Sequence, residues 1–387
     1  MKTIRERLSE KAARNRVPIM SAFELLPVCN LKCKMCYVRK DMSEVTKAGG
    51  LKDAEWWLNL AREASEYGLL YPLLTGGEPF LHPHFFEILS GMSKMGLQVS
   101  INSNGTLIDR NVVAQLCETP PVRINLTLYG ASEETYEKLC GDGNAYNRMR
   151  QGVELLKESR IPVKFNASIT SENVHDMEKM ISFAQEQESP IQVATYMFPP
   201  IRRDENMVGK NHRLSPEEAA MARVKADFLQ NDPEWFVAQA YRYQQFTPVD
   251  RLNLENDTGD SLGIACRAGL CSFWIDWQGN MINCGMYGSS SANLEEKGFK
   301  AAWDDLVKET AEVRYKPHCV HCPNRPLCHP CIAMVSNECG KWSGRPEYVC
   351  QMNEAQARYY KEYVELHYPN IKFKNMHAQP RPDICEL

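Results

Sequence analysis

Phe23-Glu24-Leu25-Leu26-Pro27-Val28-Cys29-Asn30-Leu31-Lys32-Cys33-Lys34-Met35-Cys36 is an apolar run that ends in three closely spaced thiols. Residues 23–28 read as a buried strand. The three thiolates then share one short loop, and the next histidine, His82, is far along the chain. A structural zinc site wants four ligands, usually as two paired knuckles. A ferredoxin run is tighter and supplies a fourth cysteine. Three thiolates alone suit a [4Fe-4S] cube with one iron left open. An open iron is what a small chelating molecule needs.

Outward from this loop, strand-like and helix-like periods alternate. Asp53 caps a helix through AEWWLNLAREASEY that Gly68 stops. Strands are expected at 69–75, 97–103, 122–128, 162–170 and 190–198. Helices are expected around HFFEILSGMSKM, from Asp109, through EETYEKL and YNRMRQGVELLKES, and at VHDMEKMISFAQEQ. Six such units imply parallel strands with right-handed crossovers. Six are too few for a closed eight-fold barrel, so the expectation is an α/β fold with an open, partial (β/α)6 TIM barrel. Chemistry in such barrels sits at the C-terminal strand ends.

The chain has 387 residues and a formal net charge of −4. That length suits a barrel plus an appendage, and that charge argues against a general nucleic-acid binder. No apolar run reaches the roughly 18–20 residues of a membrane span. The first residues are basic without a following apolar stretch, so no signal peptide is read; the oxygen sensitivity of iron–sulfur clusters and their need for reduction lead to the expectation of a reducing cytoplasm. Of the 15 cysteines, three lie at 29–36 and nine at 266–350. An odd count without an export signal favours metal ligation over disulfides. Cys117, Cys140 and Cys385 read as spare thiols.

Residues 266–284 read CRAGLCSFWIDWQGNMINC. Gln278-Gly279-Asn280 is a good hairpin turn and would bring Cys284 back toward Cys266 and Cys271. Residues 319–331 read CVHCPNRPLCHPC, with Cys350 beyond. The segment 266–350 is read as turns with little helix. A stretch over 200–262, with a helix at 215–230, bridges the two parts. A final helix is expected over 354–368, before a polar tail.

The CX3CX2C loop after the first strand resembles the defining motif of the radical S-adenosylmethionine (SAM) superfamily. Relatives often have an aromatic residue before the third cysteine; here Met35 stands there and Tyr37 follows, placed to lie along the adenine. Thr75-Gly76-Gly77-Glu78-Pro79 resembles the family's GGEP segment, in which the carboxylate orients the SAM amino group. Asn102-Ser103-Asn104-Gly105 resembles the ribose-side segment, and Thr127 stands where relatives contact SAM. Relatives continue as LDG, whereas this chain has Leu128-Tyr129-Gly130. The resemblance therefore implies SAM binding by Tyr37, Gly76, Gly77, Glu78, Ser103, Asn104 and Thr127. It implies a [4Fe-4S] cluster on Cys29, Cys33 and Cys36, and reductive cleavage of SAM to a 5′-deoxyadenosyl radical.

The C-terminal cysteines resemble a SPASM extension, which implies two auxiliary [4Fe-4S] clusters. Cys266 is followed by twelve residues and then Gly279-X4-Cys284, as in that family. Cys319, Cys322 and Cys328 fit its next spacing, and Cys331 comes one residue early. The resemblance assigns Cys266, Cys271, Cys284 and Cys331 to one cluster. Cys319, Cys322, Cys328 and Cys350 go to the other, with Cys339 as an alternative to Cys350. Zinc in the 319–331 knuckles is the plainer reading.

The expected organisation is a basic helix over 1–22 and the radical SAM partial barrel over 23–235. The bridge and SPASM domain follow over 236–355, then a helix and tail over 356–387. SPASM relatives mostly crosslink or oxidise peptides and proteins, so the expected activity is peptide or protein maturation. Radical modification of a small molecule such as a sugar or cofactor precursor is the alternative. Only 28 residues precede Cys29, so a separate leader-peptide-binding partner or the barrel mouth is expected to recognise a peptide. An electron donor such as flavodoxin or ferredoxin is also expected. Sulfatase-maturing relatives have Asp after the cysteine matching Cys284; here it is Gly285. Tyr196, Asp204 and Asp276 are candidate catalytic groups, with Arg202 and Arg203 near the barrel mouth. His82 and His212 are unassigned. On a helical N-terminus Arg7, Lys11 and Arg14 would share one face.

Overall fold

The computed structural model describes residues 3–244, 266–287, 292–313, 319, 322, 324, 328 and 331–370. Cys385, the polar tail and part of the bridge lie outside the described residues.

Helix α1 (Ile4–Asn15) leads into β1 (Met20–Glu24). Strands β2 (Tyr71–Thr75), β3 (Ser100–Ser103), β4 (Arg123–Leu128), β5 (Val163–Ser168) and β6 (Ile191–Ala194) follow, each parallel to the one before. Helices fill the crossovers: α2 (Met42–Lys47) and α3 (Ala54–Glu66), α4 (Phe85–Lys94), α5 (Arg110–Glu118), α6 (Glu133–Cys140) with α7 (Ala145–Glu158), and α8 (Met177–Glu186). All six expected strands form, mostly shorter than the sequence suggests. The first ends at Glu24, because Leu25 to Val28 already turn toward the thiol loop.

Helix α3 shows why these segments fold. Asp53 accepts a hydrogen bond from the Trp56 amide at 2.8 Å as N-cap. Trp57, Leu60, Ala61 and Ala64 recur at helical spacing and are buried. Trp57 packs on the ring of Phe23, with centroids 5.5 Å apart. Truncating Trp57 to alanine removes about 3–5 kcal/mol.

Phe23 faces the helices, so its neighbours Ala22 and Glu24 face the other side of the sheet. Across β3 to β6 that inner face is polar, while Ala22, Leu73, Trp274 and Ile282 form an apolar cluster on it at the β1 side. Asn102, Asn125 and Lys164 stand in register on successive strands, as do Thr127, Asn166 and Gln192. Asn125 donates to Asn102 at 2.7 Å, and Lys164 to Gln192 at 2.7 Å. A parallel sheet covered on both faces is usually apolar on both, so this face is built for polar content.

The sheet does not stop at β1. The cysteine-rich part contributes β7 (Ser272–Ile275), parallel to β1, followed by antiparallel β8 (Asn280–Ile282) and β9 (Ala292–Asn293). The order β6-β5-β4-β3-β2-β1-β7-β8-β9 is one nine-stranded sheet. The expected hairpin therefore forms, and it covers the edge of β1 that would otherwise lie unpaired.

The reading of 266–350 as having little helix is corrected. After the short α11 (Leu294–Lys297), α12 runs over Phe299–Glu312, burying Phe299, Ala302, Trp303, Leu306 and Thr310. The cysteine spacing drew attention away from that helical period. A further helix, α13, spans Ile332–Cys339. The last, α14, spans Glu347–His367, starting earlier than expected and taking in Cys350. In the bridge, α9 (Pro216–Gln230) and α10 (Pro233–Gln244) pack on α14 through Val224, Phe236, Val237, Tyr360 and Val364.

Candidate active site at the strand ends

The loop carrying Cys29, Cys33 and Cys36 lies beyond the C-terminal end of β1. The Lys32 and Lys34 amides donate to the carbonyls of Cys140 and Leu139, at 2.8 and 3.1 Å, so the end of α6 holds the loop. Backbone N–H groups aim at the sulfurs: Leu31 to Cys29 at 3.4 Å and Arg39 to Cys36 at 3.3 Å. The Asn104 side-chain amide also approaches Cys29 Sγ, at 3.6 Å. Such donors favour thiolates, the form in which cysteine binds iron. Burial pushes the Cys29 thiol up to about 12 and raises Cys36. Cys33 is held below the ordinary thiol range by the adjacent Cys140 thiol and, against burial, by the Tyr129 hydroxyl. Cys140, read as a spare thiol, is thus buried against a thiol of this loop. Tyr129, where relatives have Asp, points its hydroxyl at the same sulfur.

Glu78 is fully buried. Its carboxylate accepts from Ser103 Oγ at 2.9 Å, the Asn104 amide at 2.8 Å and the Phe80 amide at 3.3 Å. All three donors are neutral, and burial pushes its carboxyl up to about 7. A buried carboxylate with neutral partners fits an ammonium group, as the SAM amino group requires. Asn104 Oδ1 in turn accepts from Thr106, and Asn30 bonds to both Asn104 and Thr106, so Glu78, Asn104 and Cys29 are tied together. Thr127 lies on the inner face next to Asn166 in register.

Gly76 and Gly77 do a job the sequence did not suggest. A Cβ on Gly76 would stand 2.3 Å from the Leu26 carbonyl oxygen, and one on Gly77 2.1 Å from that of Val28. The Gly77 and Glu78 amides donate to these two carbonyls, at 2.7 and 2.9 Å. The glycines let the β2 end lie flat on the segment leading to Cys29. Tyr37 lies with the Arg202 guanidinium 5.9 Å from its ring centroid.

The other candidate catalytic groups are engaged locally. Tyr196 Oη donates to Glu338 at 2.6 Å, beside the Arg213–Glu338 ion pair. Asp204 accepts from Asn206 and caps a single 3-10 turn. Asp276 accepts from the Gln278 and Asn280 amides at 2.9 Å and shapes the β7–β8 turn. His82 accepts at Nδ1 from the His84 amide, so its proton sits on Nε2, 3.1 Å from the Lys52 carbonyl; burial lowers its pKa. His212 lies 3.5 Å from Glu172.

In the C-terminal part, Cys266, Cys284 and Cys331 come together around Tyr287, Val313, Ile332 and Ala333. Each sulfur accepts one backbone N–H at 3.4 Å, from Ala268, Met286 and Met334. The pattern repeats that at Cys29. Burial raises Cys284 to about 11 and Cys331 to about 12. Cys271 is buried with Ala12, Ile19 and Met20 on the α1 side, and is within electrostatic reach of Cys266. Cys328 is within electrostatic reach of Cys350, Cys322 and Cys319. Cys339, at the end of α13, is a neighbour of Cys350.

All described cysteines are free thiols. Among the described residues no three His, Cys, Asp or Glu side chains converge closely enough to hold a single ion, and a four-iron cube is larger than one ion. The two cysteine groups fit auxiliary clusters. Among the described residues no helix is long and apolar enough to cross a membrane.

Residues 23–184 match the Radical SAM superfamily. The AdoMet-dependent heme synthase of Methanosarcina barkeri is 24% identical over 339 residues, covering 83% of this chain and 93% of that protein. The PqqA peptide cyclase of Granulibacter bethesdensis is 26% identical over 162 residues, 42% of each chain. Streptococcus suis SuiB bound to its precursor peptide SuiA superposes with a TM-score of 0.64 at 18% identity, over 90% of this chain and 80% of that one. Native anSMEcpe with bound AdoMet gives 0.64 at 18% identity, over 92% of this chain and 100% of that one. Radical SAM proteins use SAM and a [4Fe-4S] cluster, and residues 23–184 of this chain form a domain of the Radical SAM superfamily, followed by a cysteine-rich C-terminal part.

Proposed function

We propose that this chain is a radical SAM enzyme that oxidatively modifies a peptide or protein, by crosslinking or side-chain oxidation. The observation that carries the reading is the pair of C-terminal thiol groups, enough for two auxiliary clusters. Cys266, Cys284 and Cys331, with Cys271 as fourth thiol, hold the first. Cys319, Cys322, Cys328 and Cys350 hold the second. When bound, the cofactor at Cys29, Cys33 and Cys36 supplies one-electron reduction and hydrogen-atom abstraction. Around it, Glu78 receives the SAM ammonium, Ser103 and Asn104 fix that carboxylate, and Thr127 lines the SAM side of the sheet. The polar inner face offers hydrogen-bond partners to a peptide backbone. SuiB and anSMEcpe, whose fold this chain shares, have been seen with bound peptides. A leader-binding partner and a one-electron donor protein complete the proposal.

A second reading is radical modification of an iron tetrapyrrole. The heme synthase similarity favours it, because it runs over nearly that protein's whole length.

The test is 5′-deoxyadenosine release by anaerobically reconstituted chain with SAM and dithionite. Peptide pools and iron coproporphyrin III are added separately. Stimulation with a mass change in a peptide supports the first reading. Stimulation by the tetrapyrrole alone, with a shifted absorption band, replaces it with the second. Four irons per cluster predict about 12 irons per chain, and about 8 in Cys29/Cys33/Cys36→Ala.

A further inference from the structure

Glu24 is a charged residue at the end of the buried strand β1, and it is 0% exposed. It accepts from both terminal nitrogens of Arg202, each at 3.0 Å, and from Trp274 Nε1 at 3.0 Å. Arg202 Nη1 also donates to the Gly285 carbonyl at 3.0 Å. Gly285 directly follows Cys284. On its other side the guanidinium faces the ring of Tyr37, which directly follows Cys36. Arg203, the next residue, donates to the Cys36 carbonyl at 3.0 Å. One buried ion pair therefore touches both cysteine loops.

Gly285 belongs to the same arrangement. A Cβ there would stand 2.7 Å from two carbons of the Trp274 indole. Trp274 reaches this position because β7 pairs with β1, setting it in register with Ala22. The indole thus presses on the residue after Cys284 while its N–H is fixed by Glu24. The pair is neutral as a whole, and its guanidinium is within electrostatic reach of the Cys284 thiol. In a low-dielectric interior a nearby unbalanced charge acts strongly. Net charge and hydrogen bonds around the sulfurs set the potential of an iron–sulfur cluster.

We propose that the Glu24–Arg202 pair is a positioning and charge-balancing bridge between the Cys29–Cys36 loop and the Cys284 loop, and that it sets the reduction potential of the auxiliary cluster at Cys266, Cys284 and Cys331. Neither residue touches substrate in this role; both act through the cysteine loops. The inference rests on the auxiliary-cluster reading given above.

The experiment uses the full chain in a Cys29/Cys33/Cys36→Ala background, reconstituted anaerobically, so that only auxiliary clusters contribute. The cluster of interest is the one whose EPR signal disappears on adding Cys284→Ala. EPR spectra at a series of poised potentials are compared for the parent, Glu24→Gln, Arg202→Gln and the double variant. Glu24→Gln leaves the guanidinium unbalanced and favours the reduced cluster. The expected shift is upward, about tenfold in the reduced-to-oxidised ratio at fixed potential, or about 59 mV for one electron. Arg202→Gln shifts it downward, and the double variant returns near the parent. A structural disturbance would not change sign and then cancel. Should Arg202→Gln load no iron, Glu24→Gln and the double variant decide between them. An unchanged potential in Glu24→Gln, or shifts of the same sign in all variants, overturns the proposal. Failure of the cluster reading shows differently: the parent itself then holds about 4 irons or fewer, with no signal that depends on Cys284.

Discussion

The Asn104 amide donates to one carboxylate oxygen of Glu78 at 2.8 Å, while the Ser103 hydroxyl holds the other at 2.9 Å. Both donors favour the ionised form, yet burial outweighs them and the carboxyl is pushed from its ordinary 4.5 up to about 7. Between those values the folded chain binds more protons than the unfolded one. Stability of the cofactor-free protein therefore falls as pH rises from 4.5 to 7, by a few kcal/mol at about 1.36 kcal/mol per unit. Urea midpoints across this window should show the fall in wild type, and Glu78→Gln should lack this component of the slope. An identical slope in both would remove Glu78 as its source.

Gly76 and Gly77 give a prediction that separates backbone packing from ligand approach. An alanine at either position meets a carbonyl oxygen at 2.3 Å or less, and Gly76 also has φ of +144°. Each substitution should lower the melting temperature of the cofactor-free protein, by more than about 1 kcal/mol in stability. Glycines needed only to admit SAM would leave that melting temperature alone. Thermal denaturation without cofactor is the deciding measurement.

The barrel units were legible because each strand and helix carries its own period and punctuation. Asp53, Asp109 and Ser215 cap helices where the sequence places them. The continuation of the sheet through β7 was not legible, because pairing between residues some 250 positions apart leaves no local period. The same distance hid the Glu24–Arg202–Trp274 cluster. Its one local signal was a glutamate inside the apolar run 23–28. The contact of Cys140 with Cys33 was hidden for a similar reason: spacing shows neighbours along the chain, and Cys33 comes to Cys140 through the fold.

Cys350 and Cys339 were alternatives by spacing, and the structure separates their surroundings. Cys350 sits in the first turn of α14 and is within electrostatic reach of Cys328 and Cys322. The Asn353 side chain, one turn on, donates to Cys328 Sγ at 3.4 Å and so ties this helix to the group. Cys350→Ala should lose about 4 irons after anaerobic reconstitution, whereas Cys339→Ala should keep the wild-type number. Iron and sulfide analysis of the two variants checks this, and the reverse pattern would make Cys339 the ligand.

Tyr196 stood among the catalytic candidates because it lies just past β6. Its hydroxyl is bonded to Glu338, which also pairs with Arg213, and Arg213 lies 3.8 Å from the centroid of Tyr348. The bonds join the end of β6 to α13 and α14, so the hydroxyl is part of a brace. Tyr196→Phe removes one hydrogen bond to a charged group, worth about 1.5–3 kcal/mol of stability, and leaves the Arg213–Glu338 pair intact. Breaking that pair by Glu338→Ala leaves Arg213 partly buried without its carboxylate, at about 3–5 kcal/mol. Urea denaturation should rank the two in that order. The rate of SAM cleavage per loaded cluster in Tyr196→Phe should stay within about twofold of wild type. A loss of a hundredfold or more with normal stability would return Tyr196 to the chemistry, in keeping with the size of effect expected of a proton-transfer group.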